Sequence, residues 1–94
     1  MQIEKKDLES SLPRKGFDRD NSREHHTYFN HRYQGKFTGA YTYVSHGMKS
    51  IGDSIITKMK KQLRLNNSQQ VIGLVNCPIS GEDYVQILKS KGQL

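Results

Sequence analysis

Three of the four histidines in this chain fall within residues 25–31, at His25, His26 and His31. Histidine changes charge near neutral pH, so it can take a proton from a hydroxyl group or give one to a leaving oxygen. It is also a common metal ligand and an ordinary residue of β-strands. Acid–base chemistry, metal binding and a structural role are therefore the three interpretations to weigh.

Metal binding has the least support of the three. A protein metal site takes three or four ligands from cysteine, histidine and carboxylate side chains. On an extended strand His25 and His31 lie about 20 Å apart, at ~3.3 Å per residue, so one ion cannot bridge them. The single cysteine, Cys77, belongs to no Cys-x-x-Cys pair. We expect no metal and no other cofactor, also because a chain of 94 residues has little room for a deep cavity.

The histidine-rich stretch lies in a predicted β-hairpin. Residues 25–33 (HHTYFNHRY) and 37–44 (FTGAYTYV) are rich in side chains that suit strands, and a short link containing Gly35 joins them. Alternation along the first strand puts His25 and His31 on one face and His26 on the other. Both faces carry aromatic side chains, so the pattern leaves open which face is buried.

Helices are predicted on both sides of the hairpin. Leu8 and Leu12 indicate a first helix over residues 3–12, which should end or kink at Pro13. A second, amphipathic helix is predicted over residues 51–65, where one stripe is apolar and the opposite side is basic. The members of the apolar stripe are Ile51, Ile55, Ile56, Met59 and Leu63.

The tail of the chain carries two further helix signals. Asn67 with Gln70, and Ser80 with Asp83, resemble the capping boxes that begin helices. The whole order predicts an α+β fold of the form α-β-β-β-α, with a three-stranded antiparallel sheet, helices on one face and a C-terminal helical extension. Residues 1–66 would form the core and residues 67–94 the extension packed on it, in a single domain.

The net charge of +6 lies entirely in the first two thirds of the chain. Residues 1–64 carry 13 Lys/Arg against 7 Asp/Glu, whereas residues 65–94 carry two of each. Such a field attracts polyanions such as RNA, although a basic surface can also serve only solubility. The sequence has no signal peptide, no run apolar enough to cross a membrane, and one cysteine, so we expect a cytoplasmic protein without a membrane partner.

The order of motifs resembles the HicA family of toxin–antitoxin mRNA interferases. Members run from a first helix ending in a GF-type turn, through a GSHH-x-Y-like segment and a hairpin, to a VP-x-HG segment and an amphipathic helix. Gly16-Phe17, residues 23–28 (REHHTY) and residues 44–63 (VSHGMKSIGDSIITKMKKQL) match these motifs in order. The resemblance covers roughly residues 5–65. Arg23, Glu24 and Ser45 stand where the family has glycine, serine and proline.

The resemblance implies a fold similar to the double-stranded-RNA-binding domain, with His25 in the position of the catalytic histidine. It also implies a HicB-type antitoxin as the protein partner, covering the His25 face. From the residue types, His25 would activate a ribose 2′-hydroxyl without metal. His26 and His46 are candidates for a supporting role, and His31 is predicted to be structural. We expect RNA on a basic surface formed by Arg23, Lys49, Lys58, Lys61 and Arg64.

Two other functions remain open on the sequence alone. A non-catalytic, double-stranded-RNA-binding-like module would use the same fold and basic surface without a catalytic histidine. A protein-interaction domain would carry the basic surface only for solubility. An assay with RNA distinguishes the three functions. The ribonuclease cleaves RNA, the binding module binds it without cleavage, and the protein-interaction domain does not bind it.

Overall fold

A computed structural model describes residues 3–76 and 78–94. Cys77, on which the argument about redox compartment and metal ligands relied, lies outside the described residues. The helices and strands follow the chain as β1 (Ile3–Glu4), α1 (Lys5–Arg14), β2 (Phe17–Asp20), β3 (His26–Tyr33), β4 (Lys36–Ser45), β5 (Ser50–Ile51), α2 (Asp53–Gln62), α3 (Ser68–Asn76) and α4 (Gly81–Ser90).

The predicted α+β class is confirmed, with a three-stranded antiparallel sheet in the order β2-β3-β4. A second, two-stranded sheet pairs β1 with β5 and was not predicted. Two residues per strand are too few to show a period of two, so the sequence carries no signal for this pair. Within the described ranges, no helix is long and apolar enough to span a lipid bilayer.

The first helix differs from its prediction at both ends. Ile3 and Glu4 form β1, and α1 continues through Pro13 to Arg14. A proline in the last turn removes only one helical hydrogen bond, so it does not force the helix to stop at the preceding residue. Gly16, with a φ of +97°, then turns the chain into β2, in the left-handed conformation that favours glycine.

The sheet has one buried and one open face. On β3, Thr27, Phe29 and His31 are buried, whereas His26 and Tyr28 are half-buried on the opposite face. The same alternation runs along β4, where the buried residues are Ala40, Thr42 and Val44. The helices pack on the first of these faces, which we call the inner face. The other is the outer face.

The second predicted helix is shorter than expected. Helix α2 begins at Asp53, and Ile51 is buried as part of β5 instead. Ile56 and Met59 are buried on the inward side of α2, but Ile55 is only half-buried and lies beside the core. The basic side chains face away from this stripe, as predicted for an amphipathic helix.

The C-terminal segment completes the hydrophobic core. Val71, Leu74, Tyr84 and Leu88 join the same buried cluster as the apolar residues of α1 and the sheet. The Tyr84 hydroxyl donates to the Leu63 carbonyl oxygen at 2.7 Å.

One contact from α1, one from the residue that follows it, and a helix cap fix the position of this segment. Ser11 donates to the Val75 carbonyl oxygen at 2.6 Å, and the Lys15 ammonium donates to that of Leu74. The predicted capping box of Ser80 and Asp83 begins α4.

Candidate nucleic-acid interface

The outer face of the sheet carries a cluster of tyrosines. Tyr28 on β3 stands directly opposite Tyr43 on β4, and their rings stack with centroids 4.9 Å apart. Tyr41 extends the stack, 6.4 Å from Tyr28. The His26 imidazole meets the Tyr43 ring edge-on at 5.1 Å. We call these four residues the tyrosine face. All four residues are half-buried, so each keeps part of its surface exposed to solvent.

Positive charge borders the tyrosine face on the side of α2 and the β2–β3 loop. The Arg23 guanidinium lies over the Tyr28 ring, 5.0 Å from its centroid. Lys58 of α2 lines a shallow groove of about 120 Å³ together with Tyr43 and Ser45. This border combines aromatic rings with cations, which is the combination that holds bases and phosphates of single-stranded nucleic acid.

The opposite border of the face, on β2, is acidic. Asp18 pairs with Arg32, and Asp20 lies opposite Tyr28 in the register. Hydrogen bonds from the side chain and backbone of Ser22 lower the pKa of the Asp20 carboxyl below its usual value, so it stays ionised. Each of these carboxylates has an arginine near it, Arg32 at Asp18 and Arg23 at Asp20, so the net positive charge at the face lies on its α2 side.

His25 lies at the end of the sheet, in the bend just before β3. Its side chain is 79% exposed, and Glu24, 4.0 Å away, is the one charged partner that the described residues give its imidazole. The His46 N–H donates to the His25 carbonyl oxygen at 3.1 Å. Because His26 pairs with Ser45, this bond continues the register and sets His25 opposite His46.

The structure does not bring all the predicted RNA-binding residues to one place. Lys58 lines the groove beside Ser45, and Lys49 follows three residues after His46, so both belong to the histidine end of the sheet. Arg64 lies at the other end, where its guanidinium packs beside Gly39 and donates to Gln93 at 2.7 Å. Gly39 and Ser45 are six residues apart on β4, which is about 20 Å. Lys61 is exposed on α2, one turn from Lys58.

The tyrosines and the surroundings of His31 were not identified from the sequence. Alternation had placed Tyr28 and His26 together, but it could not say that their face is the open one. His31 is buried among Phe17, Thr38 and Tyr84, which come from β2, β4 and α4. Burial lowers the pKa of His31 from 6.5 to about 4. No local sequence pattern shows that these distant segments meet.

Among residues 3–76 and 78–94, no three histidine, cysteine, aspartate or glutamate side chains gather closely enough to hold a metal ion. Comparison with protein-family models, with curated proteins and with solved structures gives no match to this chain. The resemblance to the HicA family therefore stays a prediction, and the function has to be argued from the site itself.

Proposed function

We propose that this chain binds single-stranded RNA on its tyrosine face and cleaves it without metal, as a HicA-like mRNA interferase of a toxin–antitoxin system. The observation that carries the proposal is the pairing of two exposed histidines, His25 and His46, by a backbone hydrogen bond at the end of the sheet whose outer face is aromatic. An open, shallow site suits a polymer that enters from the side, and the charge on its α2 border suits a polyanion. A HicB-type antitoxin would inhibit it by covering His25 and the tyrosine face.

The chemistry follows from two histidines on either side of a phosphodiester. The neutral imidazole of His25 takes the proton of a ribose 2′-hydroxyl, and the 2′-oxygen attacks the adjacent phosphorus. The bond from phosphorus to the 5′-oxygen of the next nucleotide breaks, and the His46 imidazolium gives that oxygen a proton. The products are a 2′,3′-cyclic phosphate and a free 5′-hydroxyl. After the step His25 is protonated and His46 is neutral, the reverse of the starting state.

The tyrosine face would hold the RNA during this reaction. Stacking of a base on an aromatic side chain is worth about 1–3 kcal/mol and tolerates any base. Tyr28 and Tyr43 lie on the outer face near the histidine end of the sheet, and Arg23 and Lys58 can reach the phosphates between stacked bases. Double-stranded RNA has no unstacked base to offer such a surface. We therefore expect unpaired RNA to be the preferred substrate.

One observation favours a second function, RNA binding without cleavage. Glu24 is the one charged partner that the described residues give the His25 imidazole, and both side chains are mostly exposed, at 79% and 87%. A general base is usually held by a second group that fixes its orientation. A module that only stacks on the bases and neutralises the phosphates of RNA would not need such an orienting group.

A cleavage assay separates the two functions. The wild type, His25→Ala and His46→Ala are incubated with an end-labelled, unstructured RNA oligonucleotide in excess EDTA, and binding is measured in parallel. We expect the wild type to leave 2′,3′-cyclic phosphate ends, and either substitution to slow cleavage about 10²–10⁴-fold while affinity stays within twofold. Lys6→Ala, an exposed change on α1, is the control for folding and purity.

Each other outcome has a defined meaning. Binding without cleavage by the wild type would establish the module and reject the ribonuclease. Undiminished cleavage by His25→Ala would reject the assignment of the base. No RNA binding at low salt would reject both functions and leave a protein-interaction domain.

A further inference from the structure

A cleft lies on the far side of the sheet from the tyrosine face, between the α1–β2 turn and α4. Its volume is about 440 Å³, and its walls include Arg14, Gly16, His31, Tyr33, Glu82 and Lys89. Cavities of this size hold small organic ligands. His31 and Gly16 lie at its base, and α4 of the C-terminal segment forms one wall, so the cleft exists only because α4 packs there.

The hydrogen bonds of Thr38 fit a tautomer of His31 that is protonated on Nδ1. The Thr38 hydroxyl oxygen lies 2.9 Å from the His31 Nδ1 and 3.3 Å from the His31 carbonyl oxygen, so a hydroxyl that donates to the carbonyl can accept from Nδ1–H. In that tautomer Nε2 keeps its lone pair. Burial keeps the ring neutral at neutral pH, since it lowers the pKa of His31 to about 4.

This Nε2 lone pair points into the cleft without a partner. His31 is 1% exposed, and its ring is held between Phe17 at 5.0 Å and Tyr84 at 4.8 Å. Among the described residues no side-chain nitrogen or oxygen is both sealed from solvent and unpaired. Since Nε2 has no hydrogen bond there, it must reach the cleft that His31 lines. A buried acceptor aimed into a cavity calls for a ligand that donates a hydrogen bond.

Gly16 leaves the approach to Nε2 open. A Cβ atom at this position would lie 3.4 Å from the His31 Nε2, within van der Waals contact. The φ of +97° already disfavours any side chain there. The turn that ends α1 therefore also exposes the acceptor.

The rim of the cleft carries mostly positive charge. The Lys89 ammonium lies 5.3 Å from the centre of the Tyr33 ring, at the wall formed by α4. Arg14, in the last turn of α1, stands on the other wall, with Glu82 as the acidic residue of the lining. The Lys15 ammonium donates to the Leu74 carbonyl oxygen, so we do not include it among the cations at the rim. The cleft therefore combines a hydrogen-bond acceptor at its base with cations at its rim.

We infer that this cleft binds a phosphorylated sugar, with a sugar hydroxyl donating to the His31 Nε2 and the phosphate against Lys89 and Arg14. The hydroxyls of a sugar phosphate are hydrogen-bond donors close to its phosphate group, and the Tyr33 ring offers the sugar an apolar wall. The sugar phosphate is either a free metabolite or the ribose phosphate of an RNA chain. The site stands apart from His25 and does not depend on the proposed cleavage of RNA.

The test follows the imidazole nitrogens of His31 directly. The full chain, labelled with ¹⁵N-histidine, is titrated with ribose 5-phosphate, with ribose, with inorganic phosphate and with a single-stranded RNA tetranucleotide. We expect the free protein to show protonated Nδ1 and unprotonated Nε2 on His31, and ribose 5-phosphate or the tetranucleotide to shift the Nε2 resonance. A response to ribose 5-phosphate identifies a free sugar phosphate, whereas a response to the tetranucleotide alone identifies RNA.

Surface variants connect that shift with the rim of the cleft. Lys89→Gln should weaken binding of the responding ligand about tenfold, as expected for one charge-assisted hydrogen bond, and Lys6→Gln should not change it. No Nε2 response to either sugar phosphate would overturn the inference. So would a response to inorganic phosphate as strong as that to ribose 5-phosphate, or undiminished binding by Lys89→Gln.

Discussion

Acidification should destabilise this protein through His31, well above the pH at which carboxylates lose their charge. The ring is packed against Phe17 and Tyr84, and its Nδ1–H is used by Thr38, so nothing in contact with it compensates a positive charge. Burial also raises the pKa of Tyr84 above its ordinary value, so that neighbour stays neutral throughout. The charged residues that line the cleft into which this nitrogen opens are Arg14, Lys15, Arg32, Glu82 and Lys89.

The sign and size follow from the difference between the folded and unfolded chains. The pKa of His31 falls from 6.5 to about 4 on folding, so the unfolded chain binds more protons between these values. The free energy of unfolding is therefore fully retained above pH 6.5 and is lost as the pH falls towards 4. The whole effect is about 3 kcal/mol, of which about 2 kcal/mol is lost between pH 7 and pH 5. That is a large part of a typical stability of about 5–15 kcal/mol.

Urea unfolding between pH 4.5 and 7.5 measures this loss. His31→Gln keeps a donor for Thr38 but does not titrate, so its stability should fall much less over the same range than that of the wild type. His46→Gln, at an exposed position, is the matched histidine control and should follow the wild type. Equal pH dependence in the wild type and His31→Gln, or an NMR titration of His31 near pH 6.5, would refute the reasoning.

Other substitutions test the packing and the interface. Ile56→Ala should lower the free energy of unfolding by about 2–5 kcal/mol, as for a buried core residue, and the half-buried Ile55→Ala should cost clearly less; urea unfolding that ranks them the other way would contradict the packing of α2. Gly81→Ala would place a Cβ atom 3.2 Å from the Lys15 Cα, so we expect a loss of about 1–3 kcal/mol, and an unchanged melting temperature would show that α4 moves freely. If RNA binds as proposed, Lys58→Gln should reduce the slope of log affinity against log salt by about 0.7, whereas Arg64→Gln at the far end of β4 should leave the slope unchanged.

The order of helices and strands could be predicted because its signals are local. The hairpin, the stripe on α2 and the capping box at Ser80 each depend on residues a few positions apart. The bounds were less certain, since Pro13 is expected to end a helix and α1 nevertheless runs one residue past it. Ile51 fits the helical period of the apolar stripe, but in the structure it belongs to β5, where it is buried and pairs with Ile3 of β1. That partner is not visible in the local sequence.

The candidate sites were harder to predict than the fold. His25 was identified by its motif, and the structure adds that His46 stands opposite it, which required the register of two strands. Arg64 was grouped with Lys58 because both are basic and lie on one helical pattern. Its backbone, with a φ of +59°, has already left the helix, and its side chain turns to Gly39 and Gln93. Periodicity has no information about a residue beyond the end of its helix.

The bonds from α1 to the carboxyl end of α3 also constrain how the chain folds during synthesis. The Ser11 hydroxyl reaches the Val75 carbonyl oxygen across 64 positions of sequence, and Leu8 and Leu12 share their cluster with Leu88 of α4. Contacts so distant in sequence form late, because a long loop must close before they contribute. A nascent chain that ends before α4 would leave this cluster open to solvent. We therefore expect this cluster to close, and the fold to be complete, only after α4 has been synthesised.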